Sequence, residues 1–204
     1  MKKVILASAS PRRAMLLHNL GLDFVIVPAD IDESILPDEK PVDAVMRIAQ
    51  AKAQSASNHP DSIVIAADTV VVCKGQALGK PADDREALTM LSLLSGAEHQ
   101  VITGLSVLNT ATGQGEAGYE LTRVYFRELE DDEIKAYIAS GEPADKAGAY
   151  GVQGRAAVFV AGIDGCYYNV VGLPLSRLYL MLKRQGLYLL ESGIGERVQD
   201  QGSP

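Results

Sequence analysis

The chain has 204 residues, a formal net charge of −7 and a pI near 5.0, which argue against duplex DNA or an anionic membrane as a main partner. Hydrophobic residues make up 47% of the sequence, enough for the core of one α/β domain with two lobes. No segment approaches the ~20 apolar residues of a membrane span, and the first residues show no signal-peptide pattern. Two cysteines without a Cys/His cluster make structural zinc unexpected and predict a reducing, cytoplasmic location.

The predicted elements alternate between strands and helices, which favours a mixed sheet with helices around it. Apolar runs predict strands at 4–7, 24–27, 63–67, 69–72 (continuing or pairing with the preceding strand), 100–109, 119–129, 157–161 and 167–171. Helical spacing and end signals predict helices at 11–20, 41–58, 130–140 and 174–184, and one between a cap at Asp83 or Asp84 and Gly96. We expect one two-lobed domain over residues 1–188, a functional loop at 141–156, and a frayed polar tail over 189–204.

Residues 8–13, with the sequence Ser-Ala-Ser-Pro-Arg-Arg, connect the first predicted strand to the first helix. Ser10 can cap that helix, and a helix start carries exposed N–H groups and a partial positive charge. Arg12 and Arg13 add two full charges, and small residues such as Ser8 let an anion approach the backbone. The segment therefore suits a phosphate group. The alternative is a well-capped helix with two solvated arginines.

Two acidic positions are candidates for a metal site or a catalytic base. Asp68 ends the predicted buried strand 63–67, and ligands bind at the carboxyl ends of strands in open α/β sheets. Glu33 belongs to an acidic loop with Asp30 and Asp32. Because Mg²⁺ and Mn²⁺ are often held by one or two carboxylates plus substrate phosphates, Glu33 and Asp68 could hold such an ion. The alternatives are a turn-capping Asp68 and a solvated acidic loop.

Two lysines and one glutamine complete the candidate set. Lys52 follows the core-facing side of helix 41–58, where it either reaches a site or extends to solvent. Lys80 is presented by the stiff Gly-Lys-Pro loop 79–81, and with the arginines and acids it resembles a charge set for a metal-bound polyphosphate. Gln153 lies in a glycine-flanked loop, where its amide either reads the edge of a base or is solvated.

The segments that carry these residues resemble, in the same order, those of the Maf family of nucleoside triphosphate pyrophosphatases. They are residues 8–13, 66–70, 79–81, 99–104, 145–154 and 168–175, and the resemblance spans about residues 3–185. It implies a mixed α/β fold related to inosine triphosphate pyrophosphatases, with a cleft between two lobes. It also implies a divalent cation (Mg²⁺ or Mn²⁺), a homodimer, and hydrolysis of a nucleoside triphosphate to the monophosphate and pyrophosphate.

The resemblance also implies roles for particular residues. Asp68 would accept a proton from the attacking water or help to hold the metal, with Glu33 as the second metal ligand. Arg13, Lys52 and Lys80 would neutralise the triphosphate.

Substrate preference within the family is expected to follow three positions. Arg12, Thr69 and Gln153 match the branch that acts on dTTP and UTP, and would discriminate the base; the true substrates could include non-standard pyrimidine nucleotides. A second interpretation is a nucleotide-binding regulator of cell division and septum formation. The presence of both Asp68 and Glu33 favours the enzyme, because a protein that only binds nucleotides needs no carboxylate to activate water.

Overall fold

The computed structural model describes residues 2–190 and contains a seven-stranded mixed sheet with helices around it. The strands are β1 (Lys3–Leu6), β2 (Phe24–Ile26), β3 (Ser62–Cys73), β4 (Gln76–Leu78), β5 (Glu98–Asn109), β6 (Gln114–Phe126) and β7 (Val160–Asp164). The helices are α1 (Pro11–Asn19), α2 (Pro41–Ser55), α3 (Asp84–Leu94), α4 (Asp131–Ala139), α5 (Tyr167–Val171) and α6 (Leu175–Arg184). Short 3-10 helices cover Glu142–Asp145, Ala147–Ala149 and Arg155–Phe159. The predicted fold class is confirmed.

One edge of β3 is only partly paired, because two different strands share it. Strand order is β2-β1-β3-β5-β6-β7, with β1 parallel to both of its neighbours and the other pairs antiparallel. Strand β5 pairs with β3 along residues 63–72, so β1 and β4 must share the opposite edge of β3. There β1 pairs with residues 62–65 and β4 pairs with residues 71–73. The intervening residues 66–70 therefore face a gap in the sheet.

Alternate side chains of the long strands pack into separate cores on the two faces of the sheet. On one face α2 packs against the sheet through small apolar clusters that include Ile5, Val64, Ala66, Val70 and Ile102. On the other face a larger core contains Leu6 and Ile65 with residues from α3, α4 and α6, among them Leu91, Ile134 and Leu178. Helix α2 is thus fixed above the centre of the sheet, on the face that carries Asp68.

Two predicted strands near the C-terminal end of the described chain are wrong in whole or in part. Residues 167–171 form α5, although their apolar sequence favours a strand. The Asn169 side chain donates hydrogen bonds to the Val101 carbonyl (2.9 Å) and to Thr122 Oγ1 (2.9 Å), which holds this segment against the sheet as a helix. Residues 157–161 are divided between the 3-10 helix Arg155–Phe159 and β7.

Most other predictions of elements are confirmed, with shifted boundaries. Ser10 caps α1, and Asp83 caps α3 through the Glu86 N–H. The runs 63–67 and 69–72 belong to one strand, β3, and β6 begins five residues earlier than position 119, at Gln114. Loop 141–156 is ordered. Residues 191–204 of the predicted tail lie outside the described residues, and the division at position 188 stays a prediction. Within residues 2–190, none of the helices combines the length and apolar character needed to cross a membrane.

The close contact between α2 and β5 generates a stability prediction. A Cβ atom at Gly104 would overlap the Val45 carbonyl oxygen, and this backbone atom cannot move independently of α2. We expect Gly104→Ala to lower the free energy of unfolding by about 1–3 kcal/mol, as measured by urea denaturation. Gly115→Ala in β6 is the control, since its Cβ would lie 3.6 Å from Leu108 Cδ1, an ordinary contact. Equal losses in the two variants would contradict the proposed tight packing.

Candidate active site

A cavity of about 690 Å³ lies beside the gap in the sheet. It is lined by the segment from β1 into α1, by α2, by β3 and by parts of the loops at 79–80, 145–147 and 170–172. Of the nine predicted site residues, eight line it: Ser8, Arg12, Arg13, Glu33, Lys52, Asp68, Thr69 and Lys80. Gln153 is exposed and does not line the cavity. The structure thus assembles residues that are up to 72 positions apart in sequence.

Lys52 is held between the two predicted acidic residues. Its Nζ lies 2.8 Å from Asp68 Oδ1 and 2.8 Å from Glu33 Oε2, and its side chain is only 7% exposed. Because an ammonium group has three N–H donors, one remains for a ligand. The alternative of a lysine that extends to solvent is therefore wrong. Lys52 therefore holds the two carboxylates close to each other.

The two carboxylates differ in exposure. The Asp68 side chain is 14% exposed and that of Glu33 is 44% exposed. Partial burial raises the pKa of Glu33, but the nearby Lys52, Lys80 and Arg13 outweigh this effect and hold the pKa below its ordinary value. Lys52 contacts one oxygen of each carboxylate, which leaves the second oxygen of each for another cation. Two hard oxygen donors of this kind fit Mg²⁺ or Mn²⁺, although the described residues contain no cluster of three or more metal-binding side chains.

Arg13 is a buried cation held by neutral acceptors. Its Nε donates to the Gly172 carbonyl (2.8 Å), one terminal nitrogen donates to Ser8 Oγ (3.1 Å) and the other to Thr69 Oγ1 (3.0 Å). Burial lowers its pKa, while the charges of Asp68 and Glu33 act in the opposite direction. No carboxylate in residues 2–190 forms a salt bridge with it. Burying a guanidinium without a direct counterion is costly, so the arrangement favours an anionic ligand here.

The other two cations lie at the rim of the cavity. Arg12 donates to Asp145 Oδ2 at 3.0 Å, and Lys146 contacts the same carboxylate at 2.6 Å. This ion pair joins the start of α1 to the loop after α4. Lys80 is exposed, and its loop is attached to the same region by a hydrogen bond from the Gly148 N–H to the Gly79 carbonyl (2.9 Å). The rim therefore carries one cation held by an ion pair, Arg12, and one exposed cation, Lys80.

Gln153 lies in a loop whose backbone is held by side-chain hydrogen bonds. Glu142 Oε2 accepts from the Arg155 N–H (3.1 Å), and Glu142 Oε1 accepts from the Tyr137 hydroxyl (3.1 Å). That hydroxyl in turn accepts from the Gly151 N–H (3.3 Å). The loop is held in place, but the amide of Gln153 points outside the cavity lining, so its predicted reading of a base stays a prediction.

Sequence reasoning identified segments 99–104 and 168–175 without assigning a role to any residue in them. In the structure Thr103 contacts Thr69, with 2.9 Å between the hydroxyl oxygens, and the Asn169 carbonyl accepts from Thr103 at 3.2 Å. His99 Nε2 lies 2.8 Å from the hydroxyl of Tyr150, a residue that lines the cavity. For Thr103, the sequence contains one signal of such a role: it is a polar residue within the otherwise apolar strand segment Val-Ile-Thr-Gly-Leu.

Comparison with known proteins agrees with this geometry. A family model described as Maf-like protein matches residues 3–185. The chain belongs to the Maf family. It is 52% identical over 188 residues to a protein of Syntrophomonas wolfei named dTTP/UTP pyrophosphatase, covering 92% of this chain and 100% of that protein. A protein of Geobacillus sp. (strain WCH70) with the same name is 51% identical over 188 residues, covering 91% and 100%.

The fold of the chain is also similar to that of solved structures. The chain superimposes on a HAM1 protein from Coxiella burnetii with a TM-score of 0.51 and 16% identity, over 90% of this chain and 100% of that one. For the Staphylococcus aureus Ham1 protein the TM-score is 0.53 at 11% identity, with the same coverage. At these identities the likeness supports the Maf-family fold alone.

The buried His99 beneath the cavity generates a prediction of pH dependence. Burial lowers the pKa of His99 to about 4, against about 6.5 for an unfolded histidine. Between these values the unfolded chain binds a proton that the folded chain does not, so this residue's contribution to stability is complete above pH ~6.5 and is lost as the pH falls toward ~4. We expect the free energy of unfolding to fall by about 2 kcal/mol more between pH 7 and pH 4.5 in the native protein than in His99→Phe.

The Phe ring keeps the edge-to-face packing of His99 with Phe126 and Tyr150 but does not titrate. Losing the bond to Tyr150 shifts the variant's stability by an amount that does not depend on pH. Chemical denaturation of both proteins at the two pH values isolates the difference. Parallel pH profiles would show that His99 is protonated in the folded state as readily as in the unfolded one.

Proposed function

We propose that this protein hydrolyses dTTP and UTP to the corresponding monophosphate and pyrophosphate. The observation that carries the proposal is Lys52 between Asp68 and Glu33, within a cavity that also holds Arg13. Separate acidic and basic groups in one cavity suit a triphosphate that binds with a divalent cation. The names of the relatives from Syntrophomonas and Geobacillus support the same activity and the same substrates.

The cations divide the work of binding the triphosphate. Arg13 has two N–H donors that are not used by Ser8, Thr69 or Gly172, and their positive charge would face the phosphates. Lys80 would approach from the rim of the cavity. Lys52 retains one donor for a phosphate oxygen while its other two hold the carboxylates in place.

The residues that would hold the divalent cation are Glu33 and Asp68. When bound, the cation would neutralise phosphate charge and make the α-phosphorus more susceptible to attack. Glu33 would use the carboxylate oxygen that Lys52 does not engage, and Asp68 Oδ2 would serve either as the second ligand of the ion or as the acceptor of a proton.

Asp68 is proposed as the proton acceptor. Its Oδ1 is fixed by Lys52, while Oδ2 accepts no hydrogen bond from other side chains in the described chain and can receive the proton of a water molecule. The water oxygen would attack the α-phosphorus, a bond would form between them, and the bond from the α-phosphorus to the bridging oxygen would break. Pyrophosphate then leaves with the electron pair of that bond.

The proposal includes two further features that the family resemblance implies. A homodimer is compatible with the exposed apolar side chains of Tyr119, Tyr167, Tyr168 and Leu180. A cytoplasmic location is compatible with the two free cysteines, Cys73 and Cys166. A regulator of cell division would use the same cavity without turnover, and the next experiment distinguishes it from an enzyme.

Asp68→Asn tests the chemical role. The amide keeps the size of the side chain but cannot accept a proton, so kcat for UTP should fall by about 10²-fold or more. Released phosphate is measured after addition of an inorganic pyrophosphatase. The control is Asp61→Asn, an exposed residue outside the cavity lining, which should retain normal kcat. A folded Asp68→Asn protein with near-native turnover would exclude Asp68 as the base, and a native protein without turnover would favour the regulator.

Gln153→Ala tests whether this exposed amide reaches the substrate. If the amide reaches the pyrimidine edge by rotation of its own side chain, the ratio of kcat/KM for UTP to that for GTP should fall about ten- to a hundredfold. The hydrolytic groups are untouched, so kcat for the poorer substrates should remain. An unchanged ratio would mean that base recognition rests on groups inside the cavity.

A further inference from the structure

Thr69 and Thr103 face each other across β3 and β5. They are directly paired in the strand register, and their hydroxyl oxygens lie 2.9 Å apart. Thr103 is completely buried, whereas Thr69 lines the cavity. Between two hydroxyl groups the hydrogen can belong to either side, so this contact alone does not say which threonine donates.

The second contact of Thr103 decides the direction. Its oxygen lies 3.2 Å from the carbonyl oxygen of Asn169, which can only accept a hydrogen bond. Thr103 has one hydroxyl hydrogen, and that hydrogen is used for this carbonyl. Thr69 must then donate its own hydrogen to Thr103. The Asn169 side chain is itself fixed by two donated hydrogen bonds, to Val101 and Thr122, so the carbonyl that orients Thr103 is held in place.

The remaining capacity of Thr69 is therefore that of an acceptor. One lone pair accepts from Arg13, whose terminal nitrogen lies 3.0 Å away, and the hydrogen is given to Thr103. One lone pair is left, on a residue that lines the cavity. Phosphate oxygens are acceptors as well, so they gain nothing from this oxygen, whereas an N–H group of a ligand does.

We infer that Thr103 is a positioning residue for base recognition: it takes the Thr69 hydrogen, and the Thr69 oxygen then selects an N–H donor, the N3–H of uracil or thymine. This inference rests on the proposed function, since it assumes a pyrimidine triphosphate in the cavity. Cytosine carries a lone pair at N3, which would meet the lone pair of Thr69.

Thr103→Val tests the inference, because valine has nearly the same shape but accepts no hydrogen bond. The Thr69 hydrogen is released and can turn toward the cavity, so Thr69 can donate to N3 of cytosine. We expect the ratio of kcat/KM for UTP to that for CTP to fall about tenfold, with the value for CTP rising relative to that for UTP. Thr103→Ser retains the hydroxyl and should restore the native ratio.

Ser106→Ala is the matched control. Ser106 is a buried hydroxyl residue on the same strand, outside the cavity lining, and its loss should leave the ratio unchanged. A change that only loosened the strand would lower both kcat/KM values together and would also lower the melting temperature. Equal ratios in Thr103→Val and the native protein would overturn the inference.

A substrate analogue gives a second readout that needs no variant. N3-methyl-UTP lacks the N–H group, and we expect the native protein to hydrolyse it with a kcat/KM at least about tenfold below that for UTP. Equal hydrolysis of the two would overturn the inference even if Thr103→Val does not fold. Failure of the native protein to hydrolyse either dTTP or UTP would instead overturn the proposed function itself, so the two failures are distinguishable.

Discussion

The arrangement of the cavity depends on one buried guanidinium. Arg13 contacts Ser8 after β1, Thr69 on β3 and the carbonyl of Gly172 after α5, and so joins three segments that no sheet pairing joins at this point. A charge in such surroundings is tolerated because each contact is a charge-assisted hydrogen bond. The carboxylates of Asp68 and Glu33 add a favourable field from a distance. The same residue therefore joins the walls of the cavity and supplies a buried positive charge.

Lys52 positions the two carboxylates of the cavity, as Arg13 positions its walls. It must approach Asp68 from α2, and α2 can come close to the sheet because Gly104 has no side chain beneath it. The distance between helix and sheet, set by apolar packing, thus fixes the distance between an ammonium and two carboxylates. Glu33 lies in a loop and is more exposed than Asp68, which lies on β3. Of the two carboxylates that contact Lys52, the position of Asp68 is therefore fixed by the sheet, whereas that of Glu33 is adjustable.

The sequence was most informative where local signals and tertiary structure agree. The cap at Ser10, the helix beginning at Pro41 and the buried run that ends at Asp68 follow from short-range patterns. The candidate charges follow from their places beside these elements, and the family resemblance implies their roles. The sequence failed at residues 167–171, where the hydrogen bonds of Asn169 to the sheet override a strand-like composition. The exposure of Gln153 and the pairing of Thr69 with Thr103 were also inaccessible, because they depend on loop placement and on the register of two strands.

The contacts of Arg13 also bear on how the protein is made. They join position 8 to position 172, so a ribosome must release almost the whole described chain before the cavity has all of its walls. The parallel pair of β1 and β3 and the long antiparallel pair of β3 and β5 likewise bring distant segments together, which makes folding slower than in a protein of local contacts. A nascent chain that ends before α5 would carry Lys52 and Asp68 but could not hold Arg13 in place. The proposed nucleotide binding would therefore begin only after residue 172 has been made, and a bound nucleotide would stabilise the fold as a whole instead of one part of it.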